Sequence, residues 1–264
     1  MAGLVVLAAV VVTAAAAPLL APYDPNAQLD IVALKDQAPS LAHPFGTDPL
    51  SRDVLSRVLV GGRVSLAAAV LAVAIATTVG AAYGAISGYA GGKVDSIMMR
   101  VVDACLAVPR VLLLIAVLAL WGRVALGPLI LVLGLTGWFG VSRIVRAEVM
   151  ALKTRDWVAA ARALGAGPGR TLFRHIIPNV ISPVIVSATL AVANIITLEA
   201  GLSFLGLGVQ PPQASWGSIM QDGAGEVRAL WWLSVFPGLA ILVTVMAVNA
   251  VGDGLRAVVV AKDS

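Results

Sequence analysis

From Asp156 to Asn179 the chain reads DWVAAARALGAGPGRTLFRHIIPN, a segment set between two apolar runs. It is too basic to sit in lipid, and its apolar and small residues recur too regularly for a bare linker. Asp156 stands where it can cap a short helix and complement its dipole. Trp157, Ala160, Ala161 and Leu164 then recur at helical spacing and form one narrow face, whose small residues let another surface approach the backbone closely. Gly165 suits a left-handed C-terminal stop, and Pro168 suits the first turn of a second helix. In that second helix the spacing puts Leu172, Phe173, Ile176 and Ile177 on one side and Arg170 and Arg174 on the other. A stubby helix, a glycine bend and a second helix make a rigid knob, shaped to be gripped by a partner in the cytoplasm.

Hydrophobic residues make up 59% of the 264 and charged residues only 12%, against roughly 25% charged in soluble domains. With a mean hydropathy of +0.96, the chain is an integral membrane protein. A span needs about 20 apolar residues. Gly3–Leu20, Val64–Ala90, Ala104–Gly122, Val124–Ser142, Ile176–Leu198 and Ala229–Gly252 answer to that description. Backbone groups in lipid must be paired within their own segment, so all six are read as helices and the fold as all-α and polytopic. Pro109, Pro128, Pro183 and Pro237 predict kinks. Gly80, Gly84 and Gly88, four apart, predict close helix packing.

Lysine and arginine counts set the orientation. With the N-terminus inside, the inside segments (Gly91–Arg110, Arg143–His175 and the tail after Gly252) hold twelve basic residues, and the outside segments six, Arg123 among them. Both termini are therefore expected on the cytoplasmic side. The first run lacks the basic head of a signal peptide, and a proline would follow the likeliest cut, so it is read as a span. The same missing charge predicts a short basic head ahead of Met1 in the full gene product.

Other chemistry finds little support. One cysteine, Cys105, and two histidines, His43 and His175, offer no metal-ligand spacing. GAGPGRT (Gly165–Thr171) is too short for a phosphate loop and carries Arg170 in place of its lysine. GLSFLG around Ser203 lacks the setting of a nucleophile elbow. A DNA-reading helix pair is excluded by confinement between two spans. Glu199 is the carboxylate nearest the membrane interior, and it has two readings. It braces the LSFLGLG turn, or it lines the translocation path and meets a substrate's amino group. Asp95, Arg100 and Asp103 are read as ion pairs or as solvated surface charge.

The segment beginning at Asp156 resembles the EAA loop of ABC importer permeases, whose short coupling helix docks in a groove on a cytoplasmic ATPase. The family's glutamate, aromatic, two alanines and glycine correspond to Asp156, Trp157, Ala160, Ala161 and Gly165. HPFGTDPLSRDVLSRVLVGGRVSL (His43–Leu66), EAGLSFLGLGVQPPQASWG (Glu199–Gly217) and GDGLR (Gly252–Arg256) are similar to further signatures of the C-type permeases of peptide and nickel importers. Ser51 stands where that family usually has glycine, and the tail after Arg256 lacks its common acidic ending.

The resemblance implies a type I importer permease of six transmembrane helices in the cytoplasmic membrane. Residues 1–63 would form the first helix with an outside segment, 64–256 the permease core with its coupling loop at 143–175, and 257–264 a cytoplasmic tail. The expected partners are a homologous permease subunit, two cytoplasmic ATPase subunits, an extracytoplasmic substrate-binding protein and membrane lipid, with no nucleic acid. ATP hydrolysis falls to the ATPases, so this chain needs no cofactor, metal or catalytic residue. Asp156, Trp157, Ala160, Ala161, Leu164 and Gly165 would couple to them. The cargo is expected to be short peptides, with nickel as the alternative. An ion-coupled secondary carrier would need acids or histidines near the midplane, which the spans almost lack.

Overall fold

The computed structural model describes residues 1–122 and 124–263. Arg123, counted among the outside basic residues, and Ser264, the end of the tail, lie outside the described residues. The helices are α1 (Ala2–Ala15), α2 (Ala17–Leu20), α3 (Val54–Ala90), α4 (Gly92–Leu106), α5 (Arg110–Trp121), α6 (Leu126–Leu135), α7 (Trp138–Lys153), α8 (Asp156–Ala163), α9 (Pro168–Arg170), α10 (Ile177–Phe204), α11 (Trp216–Asp222) and α12 (Trp232–Asp263). Between α9 and α10, Thr171–Ile176 is wound as a π-helix. Among the described residues the only β pairing is a single bridge, Thr47 to Asp53.

Four stretches are long and apolar enough to cross a membrane: Val54–Ala90, Leu126–Lys153, Pro168–Phe204 and Trp232–Val259. α4 and α5 reach that length and apolarity only when taken together, across a break bent by 73°. α1 is a shorter apolar helix of 14 residues. Helix ends differ from the apolar runs. α3 starts at Val54, ten residues ahead of the apolar run, because the Asp53 carboxylate accepts from the Ser56 backbone N–H at 2.8 Å as an N-cap does. Its 37 residues span about 55 Å, more than a hydrocarbon core of roughly 30 Å. The third run breaks before Arg110, since Pro109 has no N–H to give and disfavours helix at Val108. Pro183 and Pro237 lie inside α10 and α12.

The chain forms two compact units, one of Ala72–Leu114, Leu131–Ala191 and Gly252–Ser264, the other of Met1–Leu71, Ile115–Ile130 and Val192–Val251. In the first, the glycine stripe lays α3 against α7. A Cβ on Gly80 would come within 2.7 Å of the Trp138 carbonyl, and one on Gly88 within 2.7 Å of the Arg146 carbonyl. Small residues let the two backbones touch, as the spacing predicts. α4 is fastened to the same pair. The buried Asp95 accepts from Arg146 Nη2 at 2.6 Å and from the Ser87 hydroxyl. Asp103 pairs with Arg143, while Arg100 is exposed. Two of the three charges read as ion pairs or solvated surface are thus ion pairs.

In the second unit, the stretches His43–Leu66 and Glu199–Gly217 fold onto each other. Trp216 donates its indole N–H to the Val58 carbonyl at 3.0 Å and its backbone N–H to Ser65 Oγ at 3.2 Å. Arg52 bridges Asp48 at 2.6 Å and Asp222 at 2.9 Å, and Arg57 reaches the same two carboxylates. Trp232 donates to the Thr47 carbonyl at 2.9 Å. The turn between Asp48 and Asp53 is tight enough to force Ser51 to φ +57°. Ser51 is fully buried, and its hydroxyl has no hydrogen-bond partner.

A left-handed backbone costs a residue with a Cβ about 1–2 kcal/mol, and a stranded hydroxyl adds to that. Ser51→Gly is therefore expected to raise stability by about 1 kcal/mol or more, read as a higher unfolding temperature in detergent. An unchanged or lower midpoint would show that the serine is not strained.

Candidate functional site

The knob belongs to the first unit described above. Arg155 takes the N-cap position with an extended backbone (φ −70°, ψ 146°) and makes no side-chain capping bond. The expected cap by Asp156 is therefore not formed. The chain turns one residue earlier, so Asp156 is already helical and only its charge, in the first turn, favours the helix dipole. α8 ends as its sequence predicts. Gly165 lies at φ +88°, its N–H donates to the Arg162 carbonyl at 2.9 Å, and the Ala166 N–H donates to the Ala161 carbonyl at 3.0 Å. Those two bonds are the Schellman closure of a helix C-terminus. Pro168 then opens the next helix at its first position.

One residue anchors α8. Val158 is fully buried in a cluster with Val141, Val145 and Val149 of α7 and with Leu172, Ile176 and Val180. Val158 has no special standing in the sequence pattern, because it falls off the Trp157–Ala160–Leu164 face. That displacement is the signal that could have found it: an apolar residue turned away from the small-residue face is the one free to pack inward. Trp157 is 41% exposed and Leu164 89%. Ala160 is exposed and Ala161 half-buried. The narrow face therefore looks outward.

The second helix departs from expectation at Phe173. Leu172 and Ile176 are buried, but Phe173 is 72% exposed. The π winding of Thr171–Ile176 is wider than an α-helix and stacks Ile176 nearly over Leu172, while Phe173 stays outside the packed side. The outer side of the knob thus carries Trp157, Leu164 and Phe173 in the open. A shallow concavity beside them is lined by Ala161, Leu164, Ala166, Arg170, Arg174 and His175. An apolar edge with a cationic rim can dock a protein surface; it holds no paired acid and base for chemistry.

Glu199 belongs to the other unit. It lies in α10 with no solvent exposure. Its carboxylate accepts from Ser65 Oγ at 2.9 Å and from Ser203 Oγ at 2.7 Å. Ser203 Oγ accepts in turn from the Val209 N–H at 3.0 Å. A run of hydrogen bonds thus joins the LSFLGLG turn through Glu199 to α3 and, by way of Ser65, to the Trp216 N–H that starts α11.

Comparison with known proteins adds to this geometry. The family described as binding-protein-dependent transport system inner membrane component matches residues 80–262. The N-terminal transmembrane domain of oligopeptide transport permease C matches residues 1–39. The chain is 40% identical over 256 residues to the oligopeptide transport system permease protein OppC of Bacillus subtilis, covering 97% of this chain and 83% of that one. It is 40% identical over 259 residues to the dipeptide transport system permease protein DppC of the same organism, covering 97% and 79%. With the OppC protein of Haemophilus influenzae it shares 37% identity over 269 residues, covering 99% and 84%.

Proposed function

The chain belongs to the family of binding-protein-dependent transport system inner membrane components, and from that premise we propose that it is the permease subunit of an ATP-driven importer of short peptides. It is a multi-pass membrane subunit and not an enzyme. Its partners in this reading are a homologous permease, two ATPase subunits on the cytoplasmic side and an extracytoplasmic binding protein. Both termini face the cytoplasm, consistent with the excess of basic residues in the inside segments. The peptide assignment is supported by the oligopeptide and dipeptide permeases to which the chain is similar.

The observation that carries the coupling role is the knob's division of labour. Val158, Leu172 and Ile176 are buried and Gly165 closes the bend, while Trp157 and Leu164 stay exposed. In this reading Asp156, Trp157, Ala160, Ala161 and Leu164 meet the ATPase, and Gly165 sets the angle at which they are offered. Closure of the ATPases on ATP then pushes the knob, and the helices attached to it turn the central cavity outward. Glu199 is assigned to bracing the LSFLGLG turn, because serine hydroxyls occupy both its oxygens.

Co-purification in mild detergent, with ATPase activity assayed on the product, tests the coupling assignment. Wild type is expected to bring down active ATPase subunits. Proline cannot reach the φ of Gly165, and about 1–3 kcal/mol of strain is enough for a roughly tenfold loss of recovered ATPase from Gly165→Pro. A variant that inserts and still holds its full complement of ATPase would remove the knob from the interface.

Glu199→Gln keeps the shape and one acceptor oxygen but removes the carboxyl group. Normal assembly with unchanged peptide uptake per complex is the result expected of a brace. Normal assembly with depressed uptake would place Glu199 on the translocation path instead.

A further inference from the structure

The knob and α3 meet where Ala85 joins the buried cluster of Val158, Leu172 and Ile176 and, one turn further on, at the ring of Tyr89. Tyr89, next to the last residue of α3, packs against the same buried cluster that holds Val158, Leu172 and Ile176. Two cations lie over its ring. The guanidinium of Arg162, from α8, is 5.7 Å from the ring centre, and the ammonium of Lys153, the last residue of α7, is 5.3 Å from it. Both are within the range of a favourable cation–π contact. Lys153 also donates to the Tyr89 backbone carbonyl, a C-terminal carbonyl beyond the reach of α3's own N–H groups. Three helices therefore end on one side chain.

The surroundings make that meeting point mechanically useful. Along Gly80–Gly88, α3 is already laid against α7, and Ser87 is tied through Asp95 to Arg146. Immediately after Ala90, Gly91 and Gly92 take φ +67° and +56°, so α3 stops and α4 departs in a new direction. Beside the cluster that Val158 shares with Ala85 of α3, Arg162 adds a cationic contact from α8 to the end of α3. The ring also keeps two like charges compatible, because its negative face attracts both.

Resting on the reading that an ATPase grips α8, we propose that Tyr89 is the positioning residue that carries the knob's movement to α3, through Arg162 and Lys153 on its ring. Displacement of α8 shifts Arg162, the ring follows its cation, and the 37-residue helix is drawn with it. Tyr89 touches no substrate in this account. It determines how much of each ATP-driven stroke reaches the spans.

The test is peptide uptake per ATP hydrolysed, measured in proteoliposomes of the complete importer. Tyr89→Ala and Arg162→Gln should each keep their ATPase subunits and their basal ATP hydrolysis. Each should lower the uptake-to-hydrolysis ratio about twofold to fivefold, the factor that one ordinary cation–π contact commands. Tyr89→Phe keeps the ring and should match wild type. The double variant Tyr89→Ala, Arg162→Gln should be no worse than the poorer single, since both remove one link.

Arg162→Gln alters a long exposed side chain, so its result stands even where Tyr89→Ala assembles poorly. A wild-type ratio in Arg162→Gln would overturn the proposal. So would a Tyr89→Phe as defective as the alanine, or two losses that multiply. A wild-type complex that recovers no ATPase would count against the importer reading itself, which separates the two failures.

Discussion

Everything attributed to the knob depends on the row of valines along α7. Val141, Val145 and Val149 stand four residues apart and are buried, so they form one continuous ridge. Val158, Leu172 and Ile176 close over that ridge, each side chain gaining about 1.5–3 kcal/mol from leaving water. An eight-residue helix such as α8 is far too short to hold itself together in water. It is helical because Val158 is buried and because the Schellman bonds at Gly165 close its end. A surface made this way is stiff where it is attached and bare where it is offered. A lever that transmits force needs both properties.

The second unit follows the same logic with polar groups. Its loops carry charges and tryptophans that would be expensive to bury alone. Asp48 and Asp222 meet Arg52 and Arg57, and Glu199 meets Ser65 and Ser203. Breaking one partner would leave another charge buried and uncompensated. These pairings hold the start of α3, the end of α10 and α11 in a fixed relation. Two of the segments that resemble permease signatures, His43–Leu66 and Glu199–Gly217, therefore fold onto each other.

Much of the architecture was legible in the chain. Apolar runs named the helices, because lipid leaves a backbone few alternatives. Gly165 and Pro168 announced the bend, and the glycines at 80, 84 and 88 announced a close helix contact, whose partner proved to be α7. Features that depend on phase or on distant partners were not legible. Phe173 lies outward in a stretch, Thr171–Ile176, that is wound as a π-helix, which no local pattern marks. Asp156 lost its capping role to a turn placed one residue earlier. Residues 54–63 joined α3 although they are partly polar, because Asp53 caps them and partners such as Asp222, 165 positions from Arg57, satisfy their charges. The meeting of Tyr89 with Lys153 and Arg162 brings together three helix ends, which spacing along one helix could not show.

The central claim is that the outer face of the knob is covered by an ATPase subunit. The most direct measurement is the rate at which a membrane-permeant maleimide labels Leu164→Cys, with the one native cysteine replaced as Cys105→Ser. Labelling is compared in membranes with and without the ATPase subunits, and Leu41→Cys in the segment read as outside serves as the reference. Leu164 is 89% exposed in the isolated chain, so the account predicts fast labelling alone and strong protection once the ATPases are present, with the reference unchanged. Equal labelling of Leu164→Cys in the two membranes would contradict it.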